Sequence, residues 1–98
     1  MSSTIKAAVL AKAVELWADP AKRLRRRWYD HKGARCAAGV ISVAHGDVTG
    51  KVITPDEFRN YAMMLGYPYL ASLIDDNDRG NQDYIYARMQ DALAKELA

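Results

Sequence analysis

Cys36-Ala37-Ala38-Gly39-Val40-Ile41-Ser42-Val43-Ala44-His45-Gly46 runs for eleven residues without a formal charge. A helix that is apolar around its whole circumference is normally covered by other elements, and the small residues Ala37, Ala38, Gly39 and Ala44 let those elements come close. The stretch is therefore read as a buried central helix, with Gly46 placed to end it in a left-handed cap. Cys36, Val40 and Val43 fall on one face and Ile41 on the other. A strand competes, because Val40, Ile41 and Val43 are β-branched, but the alanine and glycine content argues against it.

A central helix needs neighbours, and both flanks supply them. Upstream, Ile5, Val9, Leu10, Ala13, Val14, Leu16 and Trp17 fill about half of a helical wheel, with Lys12 and Glu15 opposite. So wide an arc predicts a first helix that touches two others, capped by Ser3 or Thr4 and terminated by Pro20. Ala21 to Tyr29 continues as a second short helix anchored by Leu24 and Trp28, and Asp30 to Gly33 reads as a loop. Downstream, Thr54-Pro55-Asp56-Glu57 carries a capping residue, a proline at the first helical position and a glutamate able to reach back, which together form a capping box. Phe58, Ala62 and Leu65 are its inner face and Gly66 its end. A short helix over Pro68 to Ile74, a polar loop over Asp75 to Gly80, and a last helix capped by Asn81 follow. In that last helix Ile85, Met89, Leu93 and Leu97 recur every four residues, and Asp91 is spaced to pair with Lys95. The expectation is an all-α, compact single domain over residues 1–98, with four or five helices around the uncharged helix at about 36–45.

Composition agrees. Ninety-eight residues make one domain; half are hydrophobic, but sixteen of those are alanine, so the core is modest and self-association would add to it. A single cysteine excludes an intramolecular disulfide and suits a reducing cytoplasm. Lys6, Lys12 and Glu15 interrupt the N-terminal stretch, so no export signal is expected. The longest uncharged run, Asn60 to Ile74, is 15 residues broken by Gly66 and Pro68, short of the roughly 18 that span a bilayer. The net charge of +2 conceals +5 up to Thr49 and −3 from Gly50 onward.

The most functional-looking stretch is Lys22-Arg23-Leu24-Arg25-Arg26-Arg27-Trp28-Tyr29. Clustered guanidinium groups bind phosphates by releasing counterions, and flanking aromatics stack on bases; Arg23, Arg25, Arg26, Arg27 and Trp28 are thus candidate contacts for nucleic acid or an acidic partner. The plainer alternative is a solvated basic helix neutralised by Asp75, Asp76 and Asp78, with Trp28 as a core anchor. His31, Cys36, His45 and Asp47 match no standard metal spacing; a buried Cys36 and two surface or capping histidines are expected instead, with no catalytic residue, metal or cofactor. Asp75-Asp76-Asn77-Asp78-Arg79-Gly80 fails as a calcium loop, because aligning Gly80 with its sixth position puts Tyr86 where a bidentate glutamate is required. Met63, Tyr67, Tyr69, Tyr84 and Tyr86 are the candidate protein interface, with Met63 and Met64 pointing to different sides of their helix.

Gly33-Ala34-Arg35-Cys36-Ala37-Ala38-Gly39, followed by Asn77-Asp78-Arg79-Gly80 before a final amphipathic helix, resembles small uncharacterised proteins of actinobacteria and their bacteriophages. There a Gly-x-x-Cys-Ala-x-Gly segment opens a helix and an Asn-Asp precedes the last one. The arginine run and Val40 depart from that pattern. The resemblance implies a cytoplasmic accessory protein, phage-encoded in some cases, with structural roles for Cys36, Gly39, Asn77 and Asp78; Thr54 joins them as a cap. The functional expectation is binding of a host or partner protein, as a homo-oligomer such as a homodimer, rather than catalysis. Nucleic-acid binding through residues 22–29 is the alternative.

Overall fold

The uncharged stretch is helical and central. The computed structural model describes residues 3–98 as five α-helices and one 3-10 turn: α1 (Ser3–Trp17), the turn Pro20–Lys22, α2 (Ala37–Thr49), α3 (Pro55–Met64), α4 (Leu70–Asp78) and α5 (Gln82–Leu97). No strand occurs among the described residues; two isolated bridges join Arg35 to Arg23 and to Tyr29. Helix α2 packs against α1, α3 and α4, and α1 lies against both α2 and α5, which is the two-sided contact that its wide apolar arc requires. Val9, Leu10, Ala13 and Trp17 from α1 meet Ala37, Ala38, Val40, Ile41 and Ala44 from α2 in one core, joined by Phe58, Tyr61, Leu65, Leu73, Ile85 and Met89. The radius of gyration is 12.0 Å, against about 13 Å for a folded chain of this length.

Several boundaries differ from expectation. Helix α2 passes through Gly46 and ends at Gly50, whose φ of +70° and N–H donated to the Gly46 carbonyl make the left-handed cap. Gly46 faces the Lys51 carbonyl with room to spare, so nothing halts the helix there. Helix α4 begins at Leu70 and includes Asp75 to Asp78, where a loop was expected: one face of that acidic turn is buried through Leu73 and Asn77, and this burial outweighs the poor helix propensity of Asp and Asn. Asn81 stands at the start of α5 without capping it; its side chain donates to Asp76 instead. Ile85 and Met89 are buried as the four-residue repeat requires, but Leu97 is exposed and Ala92 is buried in its place, because a true helical period drifts off a strict spacing of four. Asp91 and Lys95 form no ion pair among the described residues. The proposed caps Ser3 and Thr4 both fall within α1, and the position preceding it is outside the described residues. The capping box at Thr54 is formed as expected.

The largest departure is the second helix. Only Pro20–Lys22 turns, as a 3-10 helix whose N-cap Asp19 accepts the Ala21 N–H. Beyond it the chain is irregular to Cys36. Arg26 has φ of +64°, incompatible with a helix, and the backbone is paired across the loop instead: Leu24 N–H to the Arg35 carbonyl, Arg35 N–H to Lys22, and Cys36 N–H to Trp28.

Candidate interaction surfaces

The loop from Arg23 to Cys36 takes its shape from α4 and α5. Asn77, 1 % exposed at the end of α4, accepts the Ala37 N–H at 3.0 Å and donates to the Leu24 carbonyl at 2.9 Å. Gln82 donates to the same carbonyl and to Asn77 Oδ1. One buried amide thus caps α2 and holds the loop. Cys36 completes the cap, its Sγ accepting the Gly39 N–H at 3.3 Å. Gly39 has no side chain for a physical reason: a Cβ there would collide with the Trp28 carbonyl. The Gly33–Gly39 segment and the Asn77-Asp78 pair therefore meet.

The arginine run is divided by this scaffold. Arg23 is structural: its side chain is 4 % exposed and pairs with Asp83 at 2.6 Å, its Nε donates to the Trp17 carbonyl, and its guanidinium sits 5.1 Å from the Trp17 ring and 4.6 Å from the Tyr86 ring. Arg25 donates through Nε and Nη2 to the Asp78 carbonyl. The Arg26 N–H is held by the Asp78 carboxylate at 2.7 Å, while its side chain and that of Arg27 are exposed and make no hydrogen bond or ion pair among the described residues. Of the three acidic residues expected to neutralise the run, Asp78 does so, joined by Asp83; Asp76 is bound to Tyr67 and Asn81. Trp28 is exposed rather than a core anchor: it meets Phe58 edge-on at 5.6 Å and Tyr29 at 6.4 Å.

His31 and Asp47 are exposed, but His45 is 2 % exposed, which corrects its expected place at the surface. Its Nδ1 lies 3.1 Å from the Lys51 carbonyl oxygen and its Nε2 3.0 Å from Glu57 Oε2. Both ring nitrogens thus lie within hydrogen-bond range of protein oxygens, Nδ1 also being 3.4 Å from Thr49 Oγ1. Glu57 also accepts the Thr54 N–H, and this bond first, with the Thr54 hydroxyl and His45 behind it, holds its carboxyl down at about 2. The pair lines a half-open cleft of about 360 Å³ with Ile5, Val48 and Val52. Burial pushes the Cys36 thiol up, away from the thiolate that reactivity needs. Among the described residues no three His, Cys, Asp or Glu side chains are grouped to hold a metal ion, and no helix is long and apolar enough to cross a membrane.

The tyrosine-bearing half forms a second surface. Tyr67, Ser72, Asp75, Asp76, Arg79 and Tyr84 line one groove of about 460 Å³, and Met63, Gly66, Tyr67 and Pro68 line another of about 290 Å³, so Tyr67 is a wall of both. Its hydroxyl donates to Asp76; burial and that bond push its pKa up. Met63 is 57 % exposed, Tyr69 66 % and Tyr84 57 %, and Met64 is turned partly into the core. Tyr86 stands apart, under Arg23. Sequence reasoning missed Asp83, Gln82 and the His45–Glu57 pair. The first two act on residues 58 to 60 positions away, and no local pattern signals such contacts.

Compared with family models, curated proteins and solved structures, the chain matches none.

Proposed function

We propose that the chain is a non-enzymatic accessory protein that binds a partner protein through the surface centred on Tyr67. The observation that carries this is the grouping of Met63, Tyr67 and Tyr84 around two adjoining grooves. Large amphipathic side chains with few rotatable bonds, together with methionine, are what interface cores are enriched in. Tyr67 is fixed by Asp76, so it meets a partner without losing much freedom. A non-catalytic role is supported by the burial of His45 and Cys36, the side chains with most chemical potential. The accessory and phage-borne setting comes from the resemblance alone, and the cytoplasm is proposed on the single buried thiol. Self-association is a second use of the same face.

The test is affinity capture from the producing cell's extract, comparing the tagged chain with a Met63→Ser, Tyr69→Ser, Tyr84→Ser variant. All three side chains are exposed, so the variant should melt as the parent does. A protein retained by the parent and lost by the variant supports the reading; identical captures from both would remove this face from consideration. Sedimentation of the same pair distinguishes a self-associating chain, whose parent alone would be dimeric.

A further inference from the structure

We propose that the loop from Lys22 to Arg35 is a separate site for single-stranded nucleic acid, with Arg26 and Arg27 on phosphates and Tyr29 and Trp28 against bases. Seven Lys and Arg face one Asp in those fourteen residues, a local charge of +6 in a chain of net +2. Asp78 and Asp83, the carboxylates bonded to the loop, bring it to +4. This surplus is concentrated in side chains left free. Arg23 is consumed by Asp83 and two rings, and Arg25 by the Asp78 carbonyl, but the guanidinium groups of Arg26 and Arg27 are exposed without a partner among the described residues. Lys22 gives its ammonium only to the Lys32 carbonyl, and both lysines remain exposed.

The rings are as well placed as the charges. Trp28 is 38 % and Tyr29 48 % exposed, and the edge contact with Phe58 fixes the indole. An exposed ring held in place is a platform on which any base stacks, since every base has a π-face. In a duplex those faces are covered, and this loop offers neither a helix nor a ribbon to enter the major groove; a single strand offers what the rings can use. An acidic protein would use the charges and leave the ring faces idle. The loop is also preformed. Bonds from Asn77 and Gln82 fix Leu24, and the Asp78 carboxylate holds Arg26 in a left-handed conformation that a residue with a side chain adopts only under constraint. Binding therefore need not order the backbone.

Four cations in reach imply up to about four phosphate contacts, hence a slope of log affinity on log salt near −3 for a single strand. The experiment is fluorescence anisotropy of a labelled twelve-nucleotide oligo(dT) from 20 to 200 mM KCl, with unlabelled duplex of equal length and polyglutamate as competitors. Binding with that slope is expected, weakened at least tenfold in Arg26→Gln, Arg27→Gln and about fivefold in Tyr29→Ser, with thermal melting of each variant unchanged. Quenching of tryptophan fluorescence on binding would report Trp28, since Trp17 is fully buried. No binding at 20 mM KCl overturns the proposal. So does duplex competing as well as the single strand. Polyglutamate competing equally, with Tyr29→Ser without effect, would make the loop an acidic-protein site instead. None of these outcomes bears on the Tyr67 surface, whose variant leaves the loop intact.

Discussion

At the N-terminus of α3 the exposed amides find their partners within four residues: Thr54 Oγ1 accepts the Glu57 N–H, and Glu57 Oε1 accepts the Thr54 N–H. At the N-terminus of α2 the corresponding work is done by a weak sulfur acceptor and by an asparagine 40 residues away. Both ends satisfy orphan donors that every helix leaves. The first does so at the surface between neighbouring residues, with the Glu57 carboxylate alone reaching on to His45 of α2. The second is buried, and because Asn77 also holds Leu24, the helix cap and the basic loop are one structure. A local cap is a stabilising detail; a distant one makes two regions depend on each other.

Gly39→Ala should show that dependence most strongly. The new Cβ meets backbone, the Trp28 carbonyl, which cannot rotate away, so a loss of about 3 kcal/mol is expected by urea denaturation, with Trp28 fluorescence altered in the folded state. Asn77→Ala comes next, at about 2 kcal/mol, because the Ala37 N–H is left buried without an acceptor. Thr54→Ala should cost about 1 kcal/mol, lowering the melting temperature by about 4 to 8 °C and leaving the loop unaffected. If Thr54→Ala were to cost more than Asn77→Ala, the contrast between the two ends would be wrong. The smallest effect is that of pH on α3's end. With the Glu57 carboxyl depressed from 4.5 to about 2 by the Thr54 bonds and His45, its stabilising contribution is complete above 4.5 and is lost as pH falls from there toward 2. An acid series of thermal melts should show this loss, and Glu57→Gln should flatten it.

The same contrast explains what was legible in the sequence. The core of α1 and α2, the capping box and the buried face of α3 follow from spacing within a few residues, and all are formed. Leu24 and Trp28 four residues apart suggested a helix by the same logic, but residues 23–36 are shaped by Asn77, Asp78, Gln82 and Asp83, and no pattern within the segment records those contacts. The arginines looked equivalent for the same reason. What separates Arg23 from Arg27 is Asp83, Trp17 and Tyr86, which surround one and not the other. Met63, Tyr67, Tyr69 and Tyr84 are legible as candidate interface residues, whereas nothing in the sequence separates Tyr86 from them, because its place under Arg23 depends on a contact 63 positions away. His45 lies in the stretch read as buried, but its partner Glu57 has a local role in the capping box, so no pattern in the sequence pairs the two.

Amide hydrogen exchange by NMR in the parent and in Asn77→Ala tests the dependence most directly, with the Ala37 and Glu57 amides as paired reporters. If Asn77 is the cap of α2 and the anchor of the loop, protection at Ala37 falls further than at Glu57, whose local acceptor Thr54 is untouched. Equal losses at the two amides, or none at Ala37, would contradict it.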